Sequence, residues 1–343
     1  MISGHGNDTY NFDTQIEVDF SSNIAFNNLS RQIIGYIGGR LTDIENYPDP
    51  MCRELSRKIA NHHNVPPRRV GVCNGSAEAF YMVAHFIERR AEGRAARSLV
   101  FVPSFAEYED SCRLYGHAIE FGNLIDFTNL DYSDFDSVWL GTPNNPDGYR
   151  VSIEEIERVA RRFPDTLFVV DRAYNTLSSS CDSDSVATSP NIILIHSLTK
   201  PFGIPGLRLG YIVAQEGPIE RLSELRPPWS VNALSMAAGE YIMDNYDALQ
   251  LNLEELLTES RALQYQLSAI EGLKVTPSDV NFFVCRIEDG RKGGDLLRYL
   301  VDNHRLLIRD CSNFRGLSES HFRVATQSAE HNKILIEALQ RWI

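Results

Sequence analysis

Lys200 is the side chain in this sequence best placed to act as an amine nucleophile. It is one of only five lysines among 33 basic residues, and the other four, Lys58, Lys274, Lys292 and Lys333, sit in ordinary polar, amphipathic stretches. Lys200 instead follows an apolar run, Ile192 to Ile195, that reads as a buried strand. Gly203, Pro205 and Gly206 then break regular structure, and Leu209 to Ala214 reads as a second buried strand. A lysine at the lip of a buried strand is desolvated, so its amine pKa falls and it can form an imine with an aldehyde. Ser197 and Thr199 just before it and Arg208 just after it could bind a phosphate dianion. An aldehyde and a phosphate on one ligand point to pyridoxal 5′-phosphate (PLP). A solvated lysine in a turn is the alternative reading of the same residue.

Other residues could complete such a site. In NGSAEA, a short strand ending at Cys73 runs into Gly75, Ser76 and Ala77 at the mouth of an apolar helix. Free backbone N–H groups and the positive end of the helix dipole meet there, which suits a phosphate, although Ser76 also fits a plain N-cap. Phe105 follows Pro103 and Ser104 at the end of a strand, where an aromatic could stack on a flat ring. Asn145, in the turn PNNPDG, follows the strand Val138 to Leu140 on the side where open α/β sheets bind ligands. The apolar strand TLFVVD ends in Asp171, with Tyr174 three residues on. A carboxylate there is costly unless paired; a protonated pyridine nitrogen would offset the cost, and so would a helix cap. Arg309 ends the apolar run Leu306 to Ile308, and its partner is either the adjacent Asp310 or a phosphate dianion, which a guanidinium matches with two parallel donors. Arg323 interrupts another apolar run, and His5 and Asn23 stand out in the polar N-terminal stretch.

The elements that must hold these residues follow from periodicity and breakers. With 343 residues the chain can bury a large core, and division into two domains is expected. Residues 1–35 read as an N-terminal arm with one short strand. Residues 36–231 read as a large domain, and residues 232–343 as a small C-terminal domain that packs with the arm. The break at Pro227, Pro228 and Trp229 sets that division, and helical periodicity runs on from Asn232 to about Ile270. Ser152 and Glu155 form a capping box ahead of an amphipathic helix. His62 and His63 are adjacent, so they make a poor metal pair and read as a solvated helix end. The six cysteines show no metal spacing, and no metal site is expected. Net charge of −13 argues against nucleic acid or an anionic membrane surface as the main partner. The polar start, the lack of a long apolar run and the scattered thiols suit a reducing cytoplasm.

Several of these segments together resemble a known family. SLTKPFGIPGLRLGY is similar to the lysine segment of aspartate-aminotransferase-type (fold type I) PLP enzymes. NGSAEA resembles their phosphate cup, PSFAEY their ring-stacking segment, PNNPDG their NPxG turn, and VVDRAY the strand bearing the pyridinium aspartate. Within that superfamily the chain looks most like the histidinol-phosphate aminotransferase branch. Inside the branch, HG near the N-terminus, PPWSVN and LIRDCSNFRGL resemble the threonine-phosphate decarboxylases, whose product serves cobalamin assembly.

The resemblance implies an α/β fold: a large domain with a mostly parallel seven-stranded sheet between helices, plus a smaller α+β domain. It implies that Lys200 carries PLP, that Asp171 pairs with the ring nitrogen, and that Asn145 and Tyr174 bond the 3′-oxygen. Phe105 would stack on the ring, and Ser76, Ala77, Ser197, Thr199 and Arg208 would hold the cofactor phosphate. Tyr47 would reach the cofactor phosphate of a partner subunit, which makes a homodimer. Arg323 would take a substrate carboxylate, while Arg309, His5 and Asn23 would surround a substrate phosphate. Decarboxylation of a phosphorylated amino acid is the activity implied; transamination of histidinol phosphate or a related amino acid is the rival. A PLP-binding regulator without catalysis is a remote third, since no basic DNA-binding segment precedes residue 35. Two positions depart from the family pattern, Asp147 in the NPxG turn and Arg172 after Asp171, and both read as drift.

Overall fold

The computed structural model describes residues 6–179 and 188–343. Among the described residues, thirteen strands run in chain order as β1 (Val18–Asp19), β2 (Val70–Cys73), β3 (Arg97–Val102), β4 (Ala118–Asn123), β5 (Ser137–Gly141), β6 (Leu167–Asp171), β7 (Ile192–Ser197), β8 (Gly210–Val213), β9 (Leu273–Val275), β10 (Phe282–Ile287), β11 (Leu306–Leu307), β12 (Arg309–Asp310) and β13 (His321–Ala325). Seven of them form the large sheet, in the order β2-β8-β7-β6-β5-β3-β4. Only β8 runs against its neighbours; the other pairings in this sheet are parallel. The expected mostly parallel seven-stranded sheet is therefore present.

Alternation along the strands splits the interior of this sheet into two cores. In β7, Ile192 and Leu194 join one apolar cluster, while Ile193 and Ile195 join the other. In β6, Phe168 and Val170 take the first side, and Leu167 and Val169 the second. Both faces are covered by helices, which is why these strands read as continuous apolar runs rather than as alternating ones. The capping box is formed as expected: Ser152 Oγ accepts from the Glu155 N–H, and the Glu155 carboxylate accepts from the Ser152 N–H.

A second, antiparallel sheet has the order β12-β13-β10-β9. Its core draws on Leu263, Phe283, Leu296, Phe322 and Leu335, and on Val18 and Phe20 from the N-terminal stretch. The helical periodicity after Asn232 resolves into two helices, Ala233–Asp244 and Leu253–Ser268. Met236, Ala238 and Ile242 of the first helix are buried in a core of the large sheet, although the Pro-Pro-Trp break lies before it.

The N-terminal stretch bridges the two sheets. Strand β1 pairs in parallel with β11. The Phe20 N–H donates to the Leu307 carbonyl (2.7 Å), and the Ala325 N–H donates to the Phe20 carbonyl (2.8 Å). Further on, the Ala25 N–H reaches the Lys200 carbonyl (3.2 Å), and Asn27 Nδ2 reaches the Pro201 carbonyl (2.9 Å). The stretch thus runs from β11 and β13 at Phe20 to the segment that holds Lys200 at Ala25 and Asn27.

One expectation is corrected here. His63 is not solvated: it is 5% exposed, and its Nε2 lies 2.9 Å from Tyr211 Oη. Tyr211 in turn stacks on the His196 ring, with centroids 4.7 Å apart. The helix Arg53–His62 packs against β2, and the residue that caps its C-terminal end reaches Tyr211 of the adjacent β8; burial holds the His63 imidazole neutral, with its pKa lowered to about 3.

Candidate active site

Parallel strands end on the same edge of the large sheet, and the residues that follow those ends converge there. Ala77 follows β2, Phe105 follows β3, Asn145 follows β5, Tyr174 follows β6 and Lys200 follows β7. All five line one cavity of about 350 Å³. Asn23 from the bridging arm, Arg208, and Arg309 and Arg323 from the second sheet line it too. Sequence reasoning had proposed these residues from separate segments; the fold brings them to one space.

Lys200 meets the electrostatic expectation. Burial lowers its amine pKa to about 8, with the charges of Arg323 and Arg208 acting in the same direction. Asp171, at the end of the neighbouring strand, is 5% exposed. Burial raises its carboxyl pKa to about 6 against the hydrogen bonds it accepts. Its Oδ2 takes the Tyr108 hydroxyl at 2.6 Å, and its Oδ1 takes the Ala173 N–H at 2.9 Å. Tyr108 was missed in the sequence. It sits three residues after Phe105 within PSFAEY, but nothing in its spacing names Asp171, 63 residues away, as its partner.

The part of the cavity lined by Ala77 is built on the helix Gly75–Arg90. Ser76 is its second residue rather than its N-cap; Asn74 occupies that place. Ser197 Oγ and Thr199 Oγ1 lie 2.8 Å apart, both buried, beside the lysine. Gly75 has φ +80°, and a Cβ there would stand 2.7 Å from Arg208 Nη2. A glycine is needed at this point for two reasons, the left-handed backbone and the close approach of the guanidinium.

Asp147 has a structural task. Its Oδ1 accepts from Asn144 Nδ2 (2.8 Å) and from the Tyr149 N–H (3.0 Å), which shapes the turn that carries Asn145. Asn144 Nδ2 also donates to the Pro103 carbonyl at 2.8 Å, tying this turn to the Phe105 segment.

The side of the cavity facing the second sheet is cationic, with Arg309 and Arg323 in its lining. Arg309 and Arg323 are direct cross-strand partners in β12 and β13, so their side chains share one face. They are 9% and 4% exposed. Burial lowers both guanidinium pKa values. Arg323 donates to Asn145 Oδ1 and to the Ser21 carbonyl, and its Nε has no hydrogen-bond partner among the described residues. Arg309 donates to the Asp310 carbonyl (2.7 Å) and to Asn313 Oδ1 (2.8 Å). The Asp310 carboxylate, one of the partners considered for Arg309, instead accepts from Ser312, at 2.9 Å from its N–H and 2.8 Å from its hydroxyl. Asn23 is 2% exposed, and neither polar atom of its side chain has a described partner.

Of the expected residues that are described, Ser76, Asp171, Ser197, Thr199 and Tyr47 do not themselves line this cavity. Tyr47 is 85% exposed, with its ring 5.0 Å from that of Trp229. His5 lies outside the described residues. Further groups at the cavity had not been singled out: Asn313, Phe314 and Arg315, and the carboxylates of Glu107 and Glu109. The segment LIRDCSNFRGL pointed to this region, without showing which of its side chains turn inward.

A depressed lysine past one strand and a buried acid ending the next, on the carboxyl edge of a mostly parallel sheet, define the fold type I class of PLP-dependent enzymes. The chain belongs to the aminotransferase class I and II family, whose description matches residues 38–339. It is 31% identical over 337 residues to the threonine-phosphate decarboxylase of Salmonella typhimurium, covering 94% of this chain and 90% of that protein. A histidinol-phosphate aminotransferase of Thermoanaerobacter sp. matches at 29% over 309 residues, 87% of this chain and 85% of that one. The adenosylcobalamin biosynthesis bifunctional protein CobDQ of Leptospira interrogans matches at 26% over 94% of this chain, which spans only 38% of that longer protein. Among solved structures, the L-threonine-O-3-phosphate decarboxylase of Porphyromonas gingivalis superposes with a TM-score of 0.89 at 33% identity, covering 95% of this chain and 99% of that one.

PLP is the cofactor of this family, and the residues present fit it. Lys200 offers an amine of low pKa, Asp171 a buried carboxylate whose cost a cationic ring nitrogen would offset, and the Gly75–Arg208 contact a cradle open to a phosphate.

Proposed function

We propose that this protein decarboxylates L-threonine O-3-phosphate to (R)-1-amino-2-propanol phosphate, a step that serves cobalamin synthesis. The observation that carries this reading is the pairing of Arg309 with Arg323. Like charges directly opposite each other on neighbouring strands repel, and both of these are buried. Two anionic groups on one small substrate, a phosphate and a carboxylate, would relieve that repulsion. The similarity to threonine-phosphate decarboxylases in sequence and in fold supports the same choice.

On this reading Lys200 carries the cofactor, Asp171 faces its ring nitrogen, Asn145 and Tyr174 bond its 3′-oxygen, and Phe105 stacks on the ring. Ser76, Ala77, Ser197, Thr199 and Arg208 hold its phosphate. PLP, when bound, supplies an electron sink for the pair left by the broken bond at Cα. The protein's part is orientation. Arg323 fixes the substrate carboxylate, and Arg309, with Asn23 and His5, fixes the phosphate, so that rotation about the bond to nitrogen is decided by two anchors. The Lys200 amine, with a pKa near 8, is suited to hold and return a proton at Nζ.

A homodimer belongs to the proposal. Tyr47 reaches no cofactor-binding group of its own chain, and Ile34, Leu41, Ile44, Met51 and Trp229 are exposed apolar side chains like it. A face of this kind suits a second copy, to which Tyr47 would contribute. A cytoplasmic location is proposed as well: Cys52, Cys73, Cys112, Cys285 and Cys311 are all free and buried.

The rival activity is transamination of histidinol phosphate, kept open by relatives of that name at similar identity. Purified holoenzyme supplied with L-threonine O-3-phosphate should release CO2, and Lys200→Ala should lose both this activity and the visible absorbance of bound PLP. Formation of glutamate from histidinol phosphate and 2-oxoglutarate, without CO2 release from threonine phosphate, would replace the decarboxylase reading with the aminotransferase one.

A further inference from the structure

Asn313 lies four residues after Arg309 and lines the same cavity. Its Oδ1 accepts from Arg309 Nη2 at 2.8 Å, while the Asp310 carbonyl accepts from Nη1 at 2.7 Å. The Phe314 ring lies against the same guanidinium, with Cζ 5.2 Å from the ring centroid. These three contacts orient Arg309 through neutral groups. The acid in the turn is occupied elsewhere, since Ser312 takes the Asp310 carboxylate.

The turn is also pinned at its far end. Arg315 forks onto Glu109, with Nη2 2.9 Å from Oε1 and Nε 3.0 Å from Oε2. Its guanidinium lies over the Phe121 ring at 4.0 Å. Asn313 thus sits in a turn tied to the helix Ala106–Leu114 at one end and bonded to Arg309 at the other.

The residue type matters for what Arg309 can bind. A carboxylate at position 313 would hold the guanidinium at least as firmly, but it would offset the positive charge and compete with an incoming anion. The amide oxygen accepts the Arg309 hydrogen bond without adding a negative charge, and so leaves the guanidinium charge in place. Asp8 and Asp310 already act on Arg309 through their charges, so a third acid beside it would weigh against any anionic ligand.

We propose that Asn313 is a positioning residue for anion recognition: it orients Arg309 toward a phosphate dianion and, being neutral, preserves the charge that binds it. The proposal rests on the reading of Arg309 as the residue that binds the substrate phosphate.

The test uses full-length holoenzyme and inorganic phosphate as the probe, with affinity measured by calorimetry and by competition against turnover of L-threonine O-3-phosphate. Wild type is compared with Asn313→Asp, Asn313→Ala and Arg309→Gln; Asn313→Ser replaces the alanine variant if that one fails to fold. Asn313→Asp should weaken phosphate binding and raise KM by about tenfold or more, with kcat within about twofold and PLP absorbance unchanged. Asn313→Ala should cost less, about threefold, because it loses the orienting bond without adding a charge. Wild-type phosphate affinity in Asn313→Asp, alongside a clear loss in Arg309→Gln, would overturn the role of Asn313 and leave the phosphate reading intact. Equal losses in the aspartate and alanine variants would also overturn it, since charge would then be irrelevant. Unchanged affinity in Arg309→Gln would remove the phosphate reading itself, and the role of Asn313 with it.

Discussion

The Tyr108 hydroxyl donates to Asp171 Oδ2 at 2.6 Å, inside the protein and behind the cavity. Tyr108 is 1% exposed, and burial together with the Asp171 charge holds its own proton firmly in place. The bond therefore stabilises the ionised form of Asp171 against its burial. Removing it in Tyr108→Phe should leave PLP bound but cost about 1.5–3 kcal/mol in transition-state stabilisation, the usual worth of a hydrogen bond to a charged group. Steady-state kcat should fall roughly tenfold to a hundredfold. An unchanged kcat would mean that the bond serves only packing.

Asp171 also makes a prediction about pH for the cofactor-free protein. Its carboxyl pKa is raised from 3.8 to about 6, first by burial. Between those values the folded state binds more protons than the unfolded state, so stability falls as pH rises. Its contribution is complete below the unfolded value and is lost as pH passes about 6. Urea titrations of the cofactor-free enzyme at pH 4, 5, 6 and 7 should show this decline, and Asp171→Asn should flatten it. A parallel decline in that variant would assign the effect to other groups.

Gly75→Ala tests the phosphate cradle. The added Cβ would stand 2.7 Å from Arg208 Nη2, on a backbone with φ +80°. The left-handed conformation alone costs about 1–2 kcal/mol for a residue with a Cβ. The guanidinium must also shift, so PLP affinity should drop by about tenfold or more, read from the absorbance of bound cofactor during dialysis. Retention equal to wild type would separate Arg208 from cofactor binding.

The ion pair between Glu109 and Arg315 joins the turn 311–317 to the helix Ala106–Leu114. The Glu109 side chain is 8% exposed and that of Arg315 is 45% exposed. Glu109 is held below the usual carboxylate range by Arg315 and Arg113, against its burial. Because Arg315 is half in water, Arg315→Gln should lower global stability by only about 1 kcal/mol. Its larger effect should be on KM for the phosphorylated substrate, since the turn that carries Asn313 loses its anchor. A change confined to Tm, with KM untouched, would make the pair purely structural.

The sequence by itself determined the strands of the large sheet and the lysine that follows one of them. Strands buried on both faces must be apolar throughout, and that made β5, β6 and β7 legible; the charged or polar residue ending each run, Asp171 above all, then stood out against them. Local chemistry was legible for the same reason: the capping box at Ser152 and the glycine before Ser76 depend on neighbours only a few residues away. Tertiary structure alone decided the rest. Arg309 and Arg323 became a pair through the register of β12 on β13, a choice made by antiparallel pairing across 14 residues of chain. Tyr108 found Asp171 because two parallel strands and a helix brought residues 63 apart within hydrogen-bond reach. His63 reads as a helix end in water, and the packing of that helix against β2, beside Tyr211 of β8, buries it. Contacts of this kind are set by how separate elements pack, and no pattern within a single element encodes which surface will lie against it.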